Sequence, residues 1–251
     1  MTFEEKLEIM TEAGAKLARI LKTLALEVKP GRDGLALNKM AEELIYDFGC
    51  RPAFKNYRPP FARSSYPTTL CFSINQTIVH GYPSDRVVKD GDVVKLDLGL
   101  EYKKMFSDSA LTVGVGELDP KVSTLIDKTK AALAEAIKVS RPGKTIGDVG
   151  AAIERVLTRA GFRPIKNLCG HDIGEKIHGN LQVLNFGQPG QGVKIKPEMF
   201  FTIEPMASLT SDYGVAVDDF VFKTPDDSIA THFEATVAVL KDETRVLTPI
   251  L

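Results

Sequence analysis

One order of segments occurs twice in this 251-residue chain: two helical patterns are followed by strand patterns, and the same succession then begins again. The Pro-Gly pairs that end the first helix of each unit lie 112 residues apart, and so do the GCRP and GFRP stretches after each second helix. Matches at a fixed spacing indicate a duplicated structural unit. We predict a single α+β domain over 1–251, with related halves at about 1–116 and 117–251, one shared sheet and helices covering one side.

Capping and turn residues mark the predicted helix boundaries. Thr2 and Glu5 have the spacing of a capping box, and Asp119-Pro120 is typical of a helix start. Gly49 follows the second helical pattern, where a residue in the left-handed conformation commonly ends a helix. The remaining segments have the composition of strands and loops. The predicted helices are Thr2–Val28, Leu35–Phe48, Asp119–Val139 and Thr145–Gly161.

Composition narrows the class of protein. Hydrophobic residues make up 43% of the chain, and the formal net charge is −1 without a long basic run, which argues against an electrostatic nucleic-acid or membrane partner. The apolar runs are too short for a transmembrane helix, and the acidic MTFEEKLEIM stretch does not resemble a signal peptide. With three cysteines and no CxxC spacing, we expect a cytoplasmic protein with reduced thiols. The sequence gives no sign of the oligomeric state, and a monomer is the default expectation.

The stretch LDLGLEYKKMFSDSA places Asp97 and Asp108 within one predicted β-hairpin. If Tyr102-Lys103 forms its two-residue turn, the two acids lie directly opposite each other, with Cβ atoms roughly 4.5–5.5 Å apart. Two half-buried carboxylates at that distance repel each other unless one is protonated or a cation lies between them. Oxygen ligands suit a divalent metal. For this hairpin taken alone, a longer turn that leaves both acids in solvent is the alternative.

Further matches between the halves concern acidic residues. A lysine precedes both Asp97 and Glu204 by eight residues, and SDSALTV around Asp108 resembles FEATVAV around Glu234. These matches pair Asp97 with Glu204 and Asp108 with Glu234 about one axis. Strand alternation then predicts that Glu204 and Glu234 lie on strands and not in loops. Four acids in one small volume require roughly two divalent cations, so the pattern favours a metal site.

The four histidines are not equivalent in this pattern. The VHG and IHG motifs pair His80 with His178 between the halves. GHDIGEKIHG contains His171 and His178, but its spacing fits neither a zinc finger nor an HExxH helix, so it identifies no ligand by itself. His232 has no counterpart in the first half, and we expect it to be structural.

The motif series INQTIVHGYP, VVKDGDVVKLDLGL, FSDSALTV, CGHDIGEKIH, FFTIEPM and FEATV resembles that of type I methionine aminopeptidases, which are pita-bread-fold metallopeptidases. The resemblance runs in order over essentially the whole chain, from about Phe3 to Leu247. It implies a curved, mainly antiparallel sheet and a centre of two divalent ions, with manganese, iron, cobalt, nickel and zinc all open as the metal. The implied ligands are Asp97, Asp108, His171, Glu204 and Glu234.

The same resemblance implies removal of the N-terminal methionine from nascent proteins and peptides, with the ribosome as one place of encounter. Glu204 is implied as the general base for a metal-activated water. His178 is implied to bind the oxyanion that forms during attack, and His80 to contact the substrate amide or the leaving amine. The implied pocket for the methionine side chain comprises Tyr66, Cys71 and Phe220.

Three positions depart from the pattern common in that family. Phe220 stands where many bacterial relatives have tryptophan, Arg63 where tyrosine is common, and Ile177 where phenylalanine is common. The side-chain preference therefore stays open, since a methylene of mismatch is worth only about 1–3 kcal/mol. Two alternatives also stay open: an Xaa-Pro or other aminopeptidase of the same fold, and a pita-bread module that binds peptide or protein without catalysis. The QVLNFG stretch argues against the first, and the full set of five ligands against the second.

Overall fold

The structure is a computed structural model that describes residues 1–60 and 62–250. The helices are α1 (Phe3–Glu27), α2 (Gly34–Asp47), α3 (Pro120–Val139) and α4 (Ile146–Arg159). The strands are β1 (Arg51–Pro52), β2 (Leu70–Ile74), β3 (Thr77–Val79), β4 (Val93–Tyr102), β5 (Met105–Gly114), β6 (Arg163–Pro164), β7 (Cys169–His171), β8 (Gln182–Leu184), β9 (Phe200–Ile203), β10 (Met206–Ser208), β11 (Val215–Ala216), β12 (Phe222–Lys223), β13 (Ala230–His232), β14 (Glu234–Val239) and β15 (Thr244–Val246). Two helices precede β1–β5 and two precede β6–β15, which is the repeated order predicted from the sequence.

Side-chain caps fix the helix starts near the predicted positions. The Thr2 hydroxyl accepts a hydrogen bond from the Glu5 N–H, and the Glu5 carboxylate accepts one from the Thr2 N–H, which completes the capping box of α1. Asp119 caps α3, whose first residue is Pro120, and Thr145 caps α4. All four predicted helices are confirmed to within two residues at each end.

One antiparallel sheet forms the centre of the molecule. β4 pairs with β5, β14 pairs with β9, and β5 meets β14 in the middle. β2 and β1 pair with the other edge of β4, and β15 pairs with β14. Strands from the first and second parts of the chain therefore share one sheet, which confirms the predicted α+β arrangement.

The contact of β5 with β14, here called the seam, uses hydroxyl groups as well as backbone pairing. The register places Ala110 opposite Glu234. Ser109 Oγ donates to the Glu234 carbonyl at 2.7 Å, and Thr236 Oγ1 donates to the Asp108 carbonyl at 2.7 Å. These residues are all buried, so the bonds are shielded from competing water. The seam thereby holds two of the predicted ligands, Asp108 and Glu234, on adjacent strands.

The turn between β4 and β5 differs from the predicted one. Tyr102 pairs with Met105, so Lys103 and Lys104 form the two-residue turn, with φ angles of 51° and 66°. Positive φ at both central residues is the type I′ arrangement, whose twist matches that of the strands. Asn-Gly is the usual sequence for this turn, and a Lys-Lys pair gave no indication of it.

The shifted register changes how the two hairpin acids meet. Asp97 lies opposite Ala110, and Asp108 lies opposite Gly99, so the predicted direct pairing of the acids is wrong. Asp108 and Ala110 are two residues apart on β5 and therefore point to the same face. Asp108 is thus the diagonal neighbour of Asp97, which keeps both carboxylates on one side of the sheet.

The two faces of the sheet have different roles because alternate residues of a strand point in opposite directions. Leu96 and Leu98 of β4 belong to one buried apolar cluster with Leu17 and Leu21 of α1. Asp97, between the two leucines, points to the face away from α1. The helices therefore cover one face, as predicted, and leave the other for the acids. No helix within residues 1–60 and 62–250 has the length and hydrophobicity needed to cross a membrane.

Candidate metal centre

The four predicted acids converge from separate strands on one face of the sheet. Asp97 lies in β4, Asp108 lies in β5, and Glu234 begins β14. The predicted position of Glu204 within a strand is wrong, since Glu204 follows β9 directly and precedes Pro205, which lacks the N–H needed to extend the ladder. All four acids are buried, with between 2% and 8% of their surface exposed.

The carboxylates and two histidines are close enough to share cations. Three overlapping groups of side chains have ligand atoms within 4.8 Å of one another: Asp97, Asp108 and Glu234; His171, Glu204 and Glu234; Asp108, His171 and His178. The first two groups together contain all five predicted ligands and have Glu234 in common. The third group contains His178, which the sequence predicted as a catalytic residue and not as a ligand.

Burial and mutual repulsion disfavour negative charge on these acids. Loss of hydration raises the pKa of Asp97 to about 7. The same cause, followed by repulsion from neighbouring carboxylates, raises the pKa values of the other three acids well above their usual range. One carboxylate oxygen in each of Asp97, Asp108 and Glu234 is buried without a hydrogen-bond partner among the described residues. A divalent cation would provide both the missing contacts and the positive charge, so the donor set fits such an ion.

His171 presents a lone pair to these acids. Its Nδ1 donates to the Asp172 carbonyl at 3.1 Å, because a carbonyl can only accept. Its Nε2 lies 3.7 Å from Glu204 Oε1 and 3.9 Å from Asp108 Oδ2. Burial lowers the pKa of His171 to about 4, so the ring is neutral at pH 7. A neutral imidazole whose tautomer is fixed by a backbone carbonyl is the usual form of a histidine ligand.

His80 and His178 flank the acids from two loops. His80 has a φ of 58°, in the left-handed region that non-glycine residues rarely adopt, and such strain is often found at functional sites. Its Nδ1 donates to the Phe220 carbonyl at 3.1 Å. The ring of His178 lies between the rings of Tyr57 and His171, with centroid distances of 5.1 and 4.5 Å. Both histidines line the same cavity as the acids.

That cavity has a volume of about 450 Å³ and an apolar end. Tyr66, Cys71 and Phe220, the residues predicted for the side-chain pocket, all line this cavity and are buried. The Tyr66 and Phe220 rings meet edge to face, with centroids 5.3 Å apart. Cys71 lies directly opposite Asp97 in the pairing of β2 with β4, so the apolar end adjoins the acids.

Comparison with known proteins identifies the family. Residues 8–241 match Metallopeptidase family M24. The chain belongs to this family. A methionine aminopeptidase of Aquifex aeolicus (strain VF5) is 36% identical to it, over 98% of this chain and 97% of the relative. Membership in M24 makes the chain a metal-dependent hydrolase.

Solved structures confirm the predicted pita-bread fold of this M24 chain. The crystal structure of a methionine aminopeptidase from Rickettsia prowazekii matches it with a TM-score of 0.93 and 31% identity, covering 98% of this chain and 97% of that one. A prolidase from Pyrococcus horikoshii OT3 matches with a TM-score of 0.77, but at 20% identity and over 63% of its own chain. The second likeness shows the shared fold alone.

Several residues of the M24 cavity were not indicated by the sequence. Phe54 and Tyr57 line it, although they lie in an irregular loop where no periodic pattern marks a buried face. Arg63, which stands where tyrosine is common in the family, is exposed and does not line the cavity, and its backbone N–H donates to Asp219 Oδ2 at 2.7 Å. Ile177 is buried outside the cavity lining, beside an adjacent groove.

The buried histidine near Glu204 is also unexpected. His232, predicted to be structural, ends β13 with its Nε2 3.7 Å from Glu204 Oε2. Burial lowers its pKa to about 3, so its ring is neutral at pH 7. The only sequence indication was its position two residues before Glu234, which strand alternation places on the same side as the acids.

The metal-free enzyme should become progressively less stable than the metal-loaded enzyme as the pH rises from about 4 to about 7. In this interval the raised pKa values keep the acids more fully protonated in the metal-free folded protein than in the unfolded chain, so rising pH favours unfolding of the metal-free form. Urea denaturation with EDTA and with saturating Mn²⁺ measures the difference. Titratable groups outside the cluster contribute equally to the free energy of unfolding with EDTA and with Mn²⁺, so their contributions cancel in the difference. A free energy of unfolding that Mn²⁺ leaves unchanged at pH 7 would contradict the prediction.

Proposed function

We propose that this chain removes the N-terminal methionine from peptides and nascent proteins. The observation that supports this most directly is the position of one cavity: its polar end contains the buried acids and His171, and its apolar end contains the Tyr66 and Phe220 rings. An unbranched thioether side chain packs well against aromatic rings. The relatives that match the chain over nearly its full length are named methionine aminopeptidases.

We propose that two divalent ions bind between Asp97, Asp108, His171, Glu204 and Glu234. Glu234 belongs to both compact ligand groups, so it would contribute to the binding of either ion. When bound, such ions supply a water of lowered pKa and polarise a substrate carbonyl. Carboxylates with one imidazole accept manganese, iron, cobalt, nickel or zinc. Which of these ions is bound in the cell therefore depends more on their availability than on the ligand types.

Glu204 is proposed as the general base. Its Oε1 accepts a hydrogen bond from Thr202 Oγ1 at 3.1 Å, which fixes the carboxylate beside the cavity. A carboxylate that can take up a proton at neutral pH is suited to accept one from the attacking water.

The two cavity histidines are proposed to act on opposite sides of the scissile amide. Because His80 donates through Nδ1 to the Phe220 carbonyl, its neutral ring has an acceptor at Nε2, which suits the N–H of the scissile amide or the leaving amine. His178 is proposed to donate its ring N–H to the amide oxygen as negative charge develops there. The third ligand group makes metal binding by His178 the competing role, and metal content of a His178 variant distinguishes the two.

The remaining predictions concern the setting of this reaction. We propose that the substrates are nascent proteins in the cytoplasm, met at the ribosome, and that the chain acts as a monomer with a single domain of two related halves. An Xaa-Pro aminopeptidase is not favoured, because the prolidases match less of their own length and at lower identity. A binding module without catalysis is not favoured either, because all five ligands are present and close together.

Peptide cleavage tests the proposed function. The metal-free protein, loaded in turn with Mn²⁺, Co²⁺, Fe²⁺, Ni²⁺ or Zn²⁺, should release methionine from Met-Ala-Ser and leave Ala-Pro-Ser and Leu-Ala-Ser largely intact. EDTA should abolish the activity. Preferential cleavage of Ala-Pro-Ser would assign the chain to the Xaa-Pro reaction, and peptide binding without cleavage under every metal would assign it to the non-catalytic class.

A further inference from the structure

His232 is a buried side chain whose polar atoms are unexplained. It is 2% exposed, and neither ring nitrogen has a hydrogen-bond partner among residues 1–60 and 62–250. A neutral imidazole carries one N–H donor and one acceptor nitrogen. Leaving both unpaired inside a protein is unfavourable, and a buried polar group of this kind commonly has a specific role. We therefore expect the His232 ring to form a hydrogen bond with a nearby polar group when the site is complete.

The backbone of His232 is held from two sides. Its N–H donates to Thr112 Oγ1 at 3.0 Å, and Thr112 Oγ1 donates to the His232 carbonyl at 2.6 Å. On its other side, His232 pairs with Met206 of β10. These contacts fix the position of the His232 backbone, from which the ring extends. Its nearest acidic neighbour is Glu204, with 3.7 Å between Nε2 and Oε2.

The two carboxylate oxygens of Glu204 differ in their contacts: Oε1 accepts a hydrogen bond from Thr202, whereas Oε2 lies 3.7 Å from His232 Nε2. Thr202 Oγ1 accepts from the His171 N–H at 3.0 Å and donates to Glu204 Oε1 at 3.1 Å, which ties the carboxylate to β7. Oε2 faces His232. The distance between Nε2 and Oε2 exceeds the usual hydrogen-bond length by about 0.7 Å, a difference that we expect a small side-chain rotation to close.

We infer that His232 is a positioning residue for Glu204: its Nε2–H donates to Oε2 while Thr202 holds Oε1, so the carboxylate is held in one orientation in which it would bind an ion. The inference rests on the proposed metal-binding role of Glu204. His232 belongs to none of the three ligand groups found among the described residues and does not line the cavity, so it acts from behind the carboxylate. Groups that orient a ligand in this way typically change metal affinity by about 10–100-fold when removed.

Two amide substitutions separate positioning from packing. Glutamine at 232 carries an N–H₂ group that reaches about as far as Nε2, whereas asparagine is one methylene shorter and does not reach Oε2. His232→Asn should therefore weaken Mn²⁺ binding by about 10–100-fold, and His232→Gln should restore it to within a few-fold of the unaltered protein. Should His232→Asn fail to fold, His232→Leu provides the same loss of the donor at similar volume.

Thr231→Val is the matched control. Thr231 is the preceding residue of β13, fully buried, and its Oγ1 lies 2.7 Å from Thr129 Oγ1. Losing that bond should lower the melting temperature of the metal-free protein without altering Mn²⁺ affinity. Isothermal titration of each metal-free protein with Mn²⁺ gives the affinities, and melting with and without Mn²⁺ gives the stabilisation by metal.

The outcomes are distinct. The inference is supported if Mn²⁺ binding is weakened in His232→Asn, is restored in His232→Gln and is unchanged in Thr231→Val. Mn²⁺ affinity in His232→Asn within twofold of the unaltered protein overturns it, as does an equal loss in Thr231→Val. If the unaltered protein itself binds no divalent metal, the proposed metal centre fails and the role of His232 fails with it. If the unaltered protein binds metal and His232→Asn binds it equally well, only the inference about His232 is lost.

Discussion

Asp97→Asn or Asp108→Asn should remove most hydrolytic activity and about one equivalent of bound metal per chain, while leaving the fold intact. Both residues belong to the ligand group completed by Glu234, and in both one carboxylate oxygen is buried without another partner among the described residues. An amide keeps the volume of the side chain but loses the charge that binds the cation. Metal analysis of the purified variants, with circular dichroism to verify folding, measures the effect.

The stability of the metal-free variants distinguishes loss of a metal ligand from general unfolding. Removing one carboxylate relieves repulsion in the metal-free cluster, so metal-free Asp97→Asn should be at least as stable at pH 7 as the metal-free unaltered protein. Glu101→Gln, a partly exposed acid on the same strand that lies outside the cavity lining, should alter neither metal content nor activity. Full metal content in a folded Asp97→Asn or Asp108→Asn variant would contradict the ligand assignment.

His178→Ala and His80→Ala should each reduce kcat by about 10²–10³-fold and leave metal content almost unchanged. Their proposed hydrogen bonds form with charge that develops only during attack on the amide, so the loss should appear in kcat more than in KM. Ground-state binding relies on the metal centre and on the apolar end of the cavity. Steady-state kinetics on a methionine peptide, with metal analysis of the same preparations, measures both quantities.

The controls for this pair follow from the structure. Lys176→Ala changes an exposed side chain two residues from His178 and should leave kcat within about twofold. His232→Ala is unsuitable as a neutral control, because His232 lies beside Glu204. A His178→Ala protein that lost metal in proportion to activity would show that His178 is a ligand together with Asp108 and His171.

Local interactions explain why the helices could be predicted closely and the hairpin could not. Thr2 and Pro120 act through the backbone of their own helix, so their effect can be read from neighbouring residues. The turn at Lys103-Lys104 depends on the twist of two ten-residue strands, β4 and β5, which favours positive φ at residues that do not prefer it. A difference of one residue in the turn then moved Asp108 from the opposite to the diagonal position.

The acids of the centre could be predicted because a carboxylate inside an apolar strand stands out against its neighbours. The part of the cavity wall contributed by the loop after β1 could not. Tyr57 is in a loop with no periodicity, and its contact with the His178 ring depends on how that loop crosses the sheet. His232 was predicted to be structural because it has no counterpart in the first half of the chain. Its relation to Glu204 arises from the pairing of β10 with β13, which joins segments more than twenty residues apart.

The seam also fixes the order in which the proposed metal ligands become available during synthesis. Asp97 and Asp108 are made early, but their partners at 171, 204 and 234 follow only as the second part of the chain leaves the ribosome. Glu234, which belongs to both compact ligand groups, is the last of the five and enters the sheet through the seam. A copy that terminates before Glu234 lacks the acid common to both compact ligand groups and the strand that pairs with β5 at the seam. Such a copy should therefore be unable to form the proposed metal centre.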